Sequence, residues 1–174
     1  DVERSRGLGD VYKRQALDSP VLKRDLEAAD AEATTFQTRW RGRLAEEAAL
    51  PGGGGLIEAI KAYEALEDRL GRLISYAGLV YAGDTSSPAN AKFYGDIQAR
   101  VTDISARVLF FGLELNRIED AVMEAALAAN PQLAHYRPWI ADLRLERPFQ
   151  LEDRIEELFP VSYTHLRAHE TSLH

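Results

Sequence analysis

The stretch PANAKFYGDIQARVTDISARVLFFGLELN, residues 88–116, decides the fold. Its apolar residues Phe93, Ile97, Val101, Ile104, Val108, Phe111 and Leu115 follow one another at steps of four, four, three, four, three and four. A helix completes a turn in about 3.6 residues, so this spacing puts all seven on one face. Around Leu109–Leu113 the apolar band widens until little polar surface is left, which predicts burial on several sides. Just ahead, Asp84-Thr85-Ser86-Ser87-Pro88 supplies a turn, a capping hydroxyl and a proline near the first helical position.

The same period extends in both directions. Upstream, Ile57, Ile60, Leu66, Leu70, Leu73, Ile74 and Ala77 line one face of a helix predicted over Leu56–Ala82, with Tyr63, Tyr76 and Tyr81 along it. Gly71 and Gly78 weaken that helix, and their presence predicts close helix–helix approach there. A first helix starts at Asp18-Ser19-Pro20 and carries Leu22, Leu26, Ala29, Ala33, Phe36, Trp40 and Leu44 toward Pro51. Pro51-Gly52-Gly53-Gly54-Gly55 then reads as a flexible connector. It is no phosphate loop, since no strand precedes it and no Gly-Lys-Ser/Thr follows. Downstream, shorter helices are expected over Glu119–Ala129, over Gln132–Leu145 with a break or restart at Pro138, and over Glu152–Phe159. No segment alternates as a strand would. The expectation is an all-α fold. Three long helices of about 20 to 30 residues pack antiparallel, and the shorter helices cross one end.

The two termini read differently. Asp1–Gln15 (DVERSRGLGDVYKRQ) and Val161–His174 (VSYTHLRAHETSLH) can be back-translated into a single DNA segment read on opposite strands, two bases out of frame. Unrelated protein termini do not share an inverted repeat over their whole length. The segment resembles a transposon-end adapter of the kind used in sequencing libraries. Residues 1–15 and 161–174 are therefore expected to be translated adapter and are excluded from fold reasoning. Residues 16–160 remain as the gene-derived part, with Pro160 at the junction. The exclusion removes His165, His169 and His174. It also removes His169-Glu170-Thr171-Ser172-Leu173-His174, whose histidines lie five apart instead of the four needed to share one metal.

The chain carries a formal net charge of −7, and removing the tails, with five basic and four acidic residues, makes it one unit more negative. No basic face is evident, so nucleic acid is not an expected partner. There is no cysteine, which excludes disulfides and thiolate chemistry. No apolar run reaches the roughly 18 residues of a membrane span, so no membrane partner is expected and the default location is the cytoplasm.

Few residues invite a chemical reading. Glu64/Asp68 and Glu114/Glu119 are carboxylate pairs, but no histidine stands at Glu-x-x-His spacing, and carboxylates alone on a wet face rarely hold a metal. His135 has no visible partner to orient it as an acid or base. Tyr76, Tyr81 and Tyr94 could line a peptide-binding wall, but they fit better as interface rings with wet hydroxyls. The runs Arg41/Arg43/Glu46/Glu47 and Glu152/Asp153/Arg154/Glu156/Glu157 read as solvated faces. The expected site residues are accordingly none: no catalytic, cofactor-binding or metal-binding position is assigned within the chain.

The wording of the helices is more informative. Tyr63-Glu64-Ala65-Leu66-Glu67-Asp68 through Leu73-Ile74-Ser75-Tyr76-Ala77-Gly78-Leu79 resembles oligoendopeptidase F, of the thimet-oligopeptidase-like zinc peptidases. So do Ala91-Lys92-Phe93-Tyr94-Gly95-Asp96, Phe110-Phe111-Gly112-Leu113-Glu114-Leu115 and Tyr136-Arg137-Pro138-Trp139. The resemblance implies the N-terminal helical lobe of a two-lobed enzyme with a deep channel for short peptides. It places the zinc and its H-E-x-x-H helix in sequence beyond this stretch. The implied partners are the catalytic lobe of the same chain and, for the parent enzyme, short peptides. Taken alone, the fragment would be inactive, would hold no cofactor, and would expose apolar surface normally covered by the other lobe. Two further readings compete: a non-enzymatic helical module that binds a protein partner, and a four-helix carboxylate metal protein.

Overall fold

A computed structural model describes residue 17 and residues 19–145. The two tails and the expected helix over Glu152–Phe159 lie outside the described residues. Every regular element among the described residues is helical. Three long helices form the frame: α1 (Pro20–Trp40), α3 (Leu56–Gly83) and α4 (Pro88–Val108), of 21, 28 and 21 residues. Between the first two lie α2 (Leu44–Ala49) and a 3₁₀ turn (Pro51–Gly53). Four shorter helices follow: α5 (Phe110–Arg117), α6 (Asp120–Ala129), α7 (Pro131–Ala134) and α8 (Arg137–Leu145).

Local chemistry sets the helix starts. Ser19 Oγ accepts the Leu22 N–H ahead of Pro20, and Ser87 Oγ accepts the Asn90 N–H ahead of Pro88. Asn130 Oδ1 accepts from the amides of Gln132 and Leu133 at the start of α7. Pro138 falls in the first turn of α8, where its missing N–H leaves no ladder bond unmade. It therefore marks a restart after α7.

The long helices run up, down and up. Arg39 near the end of α1 pairs with Glu58 near the start of α3 at 2.6 Å, and Arg69 in the middle of α3 pairs with Glu32 at 3.0 Å. Arg107 of α4 bridges back to Asp30 of α1 at 2.8 Å, as expected of two helices running the same way. The core between them holds Leu22, Ala29, Ala33 and Phe36 from α1, Leu66, Leu70, Leu73 and Ala77 from α3, and Ile97, Ile104 and Val108 from α4. Phe111 and Leu115 of α5 are fully buried, as the 88–116 pattern requires.

Four expectations need correction. The first helix stops at Trp40 instead of running on through Leu44, because Arg41 leaves the helical region and Gly42 turns to φ 77°. The expected helix over 88–116 loses regularity at the single residue Leu109, although its φ of −56° and ψ of −36° stay helical. Gly71 shows no close helix approach: a Cβ built there meets nothing within 4 Å. A Cβ at Gly78 meets only the Tyr94 ring, at 3.8 Å, which is an ordinary contact. The fourth correction concerns the connector. Gly52, Gly53 and Gly54 all take positive φ, and Gly53 is buried with Ala126 Cβ 3.1 Å from where its own Cβ would be. At Gly54 the added carbon would lie 2.6 Å from the Glu47 carbonyl oxygen, and at Gly55 2.9 Å from the Trp40 ring. Gly53, Gly54 and Gly55 form a packed corner that an added Cβ would crowd, while Gly52 has open space and is set apart by its φ of 68° alone.

Candidate functional site

Aromatic and polar side chains converge where α8 packs on α5 beside α1 and α3. Phe36 of α1 meets Phe111 edge-on at 5.3 Å and Phe110 at 5.8 Å. Tyr63 of α3 stacks on Phe111 at 4.6 Å, and Trp139 of α8 lies parallel to both at 6.4 and 6.5 Å. Tyr136 closes the group, edge-on to Trp139. Its hydroxyl donates to Glu64 Oε2 at 2.7 Å. That hydrogen bond to the carboxylate is the main reason the Tyr136 phenol is pushed above its ordinary 10.0. Burial and the Glu64 charge add to it. Such an arrangement holds a helix in place; it offers no activated nucleophile or base.

Polar side chains fix the flanks of this layer. Asn116, fully buried, donates from Nδ2 to the Leu143 carbonyl at 3.1 Å. Arg144 donates to the Ile118 carbonyl at 2.8 Å and also pairs with Asp120. Arg137 pairs with Glu124 at 2.6 Å. Asn130 donates from Nδ2 to the Gly52 carbonyl at 3.2 Å, tying the glycine corner to the α6–α7 junction. Sequence reasoning foresaw none of these contacts, and Asn130 entered it only as the end of a helix at Asn130-Pro131. For Asn130 a signal existed in Asn130-Pro131, a turn and cap pair. For Asn116 none did, since a single asparagine at a helix end is equally at home in water.

The carboxylate pairs are not brought together as ligands. Glu64 binds Tyr136, and Asp68 pairs with Arg72 one turn on. Glu114 Oε1 accepts the Gly42 N–H at 2.7 Å, while Glu119 stands at the start of α6. Among the described residues no group of three or more His, Cys, Asp or Glu side chains could hold a metal ion. His135 is exposed beyond α7, its ring edge-on to Tyr136 at 5.5 Å. Tyr81 stacks on Tyr94 at 5.6 Å between α3 and α4, and Tyr76 meets Phe93 edge-on. These are the interface rings that the sequence suggested, though Tyr76 keeps 38% of its surface exposed. Arg41, Arg43 and Glu46 are exposed, but Glu47 is not simply a solvated charge: its Oε2 accepts the Gly55 N–H at 2.7 Å. The run at Glu152–Glu157 and the tail histidines lie outside the described residues. An open groove separates the first turn of α1 from the C-terminal half of α3, lined by Val21, Leu22, Asp25, Arg69, Arg72 and Tyr76. Among the described residues no helix is long and apolar enough to cross a membrane.

Comparison with known proteins gives a family match over part of the chain. Residues 114–160 match the N-terminal peptidase family described as Oligopeptidase F. The matched stretch takes in the end of α5 and all of α6, α7 and α8, including Glu114-Leu115 and Tyr136-Arg137-Pro138-Trp139. No curated protein and no solved structure matches the chain. Over residues 114–160, the chain is similar to the N-terminal region of oligopeptidase F peptidases, and this likeness supports the resemblance read from the sequence.

Proposed function

We propose that residues 16–160 belong to the channel-forming N-terminal lobe of a zinc metalloendopeptidase that cleaves short peptides, and that this chain alone is inactive. The match over residues 114–160 carries the reading, and the all-helical frame agrees with it. In this proposal the lobe walls a channel, so that only short unfolded peptides reach the metal. Among the described residues no three His, Cys, Asp or Glu side chains converge to hold a metal ion, and Glu64, Asp68 and Glu114 are engaged with Tyr136, Arg72 and Gly42. The proposal therefore assigns the zinc to the catalytic lobe of the parent chain, and that lobe is the partner of this one. Residues 1–15 and 161–174 are taken as translated adapter. The proposal takes the cytoplasm as the location.

Val21 and Tyr76, 54% and 38% exposed, border the groove between α1 and α3, and this apolar edge favours a second reading as a helical module docking on another protein. A peptidase assay separates the two. Quenched short peptides are offered, with zinc, to this chain and to the product of the uninterrupted gene. The proposal expects cleavage by the parent and none by this chain. Cleavage by this chain would refute its inactivity, and a parent without peptidase activity would favour the docking module.

A further inference from the structure

We draw no further inference here: the strongest candidate, the open groove between the first turn of α1 and the C-terminal half of α3 with Val21 and Tyr76 exposed at its edge, carries nothing, because Arg69 and Arg72 within it are already paired with Glu32 and Asp68 and nothing in the structure shows what covers its apolar side.

Discussion

Glu114 reaches across 72 residues of sequence to accept the backbone N–H of Gly42 at 2.7 Å. That contact sits where α1 breaks. It gives an acceptor to an amide that the helix ladder has released, and Arg41 next to it lies over the Phe110 ring at 5.7 Å. Gly42 holds φ 77° with nothing within 4 Å of an added Cβ, so the demand for glycine is conformational and not steric. Gly42→Ala is expected to lower stability by about 1 kcal/mol, from the cost of a left-handed alanine. Urea unfolding followed by far-UV circular dichroism measures it. An unchanged midpoint would mean that the chain does not turn left-handed at this break.

Two glycines on either side of the α3 start should respond in opposite ways. Gly54→Ala puts a carbon 2.6 Å from the Glu47 carbonyl at φ 48°, and the backbone cannot give way cheaply. A loss of roughly 2 kcal/mol or more is expected from overpacking and strain together. Gly71→Ala lies in mid-helix, exposed, with open space around the new methyl group. It should raise stability by about 0.5–1 kcal/mol, the difference in helix propensity. The same unfolding assay reads both. Equal effects would contradict the assignment of one glycine to a packed corner and the other to an open helix face.

The Tyr136–Glu64 bond makes a prediction in pH. The folded phenol ionises above 10.0, whereas the unfolded one ionises near that value. A raised folded value means that the neutral form is favoured by folding. Its contribution is therefore complete below pH 10 and is lost as pH rises through the folded value. Difference absorbance at alkaline pH, comparing the chain with its Tyr136→Phe variant, should show Tyr136 ionising late. Glu64→Gln should bring that ionisation back toward 10.0. A Tyr136 that titrates at its ordinary value in the unmutated chain would remove the bond.

The parts of the fold set by periodicity were legible in the sequence. Leu66, Leu70, Leu73 and Ala77 are buried where the 3.6-residue pattern put them, and Ser19-Pro20 and Ser87-Pro88 open helices as their chemistry requires. What depended on distant partners was not legible. A lone Gly42 between two arginines is compatible with a continuous helix until Glu114 is known to face it. Gly53–Gly55 read as chain freedom because Ala126, Glu47 and Trp40, which crowd them, are remote or on another element. Gly71 and Gly78 invited the opposite error, since a mid-helix glycine signals close approach only when another backbone is there to use it. Asn90 is buried and donates to the Val80 and Asp84 carbonyls, closing the α3–α4 turn, and nothing in its neighbours' spacing distinguished it. At the candidate site, no single residue had announced chemistry in the sequence, and the Tyr136–Glu64 bond joins residues 72 apart that no local pattern could pair. The resemblance read at Glu114-Leu115 and Tyr136–Trp139 falls inside the matched stretch, whereas the stretches at Tyr63–Leu79 and Ala91–Asp96 lie outside it.

The most direct test is to read the uninterrupted gene through the codon for Phe159. The account predicts that the frame continues from there to an H-E-x-x-H helix and that the bases encoding residues 161–174 are absent from the source DNA. A native stop shortly after Phe159, or genomic reads carrying those same codons in a source never exposed to adapter primers, would contradict it.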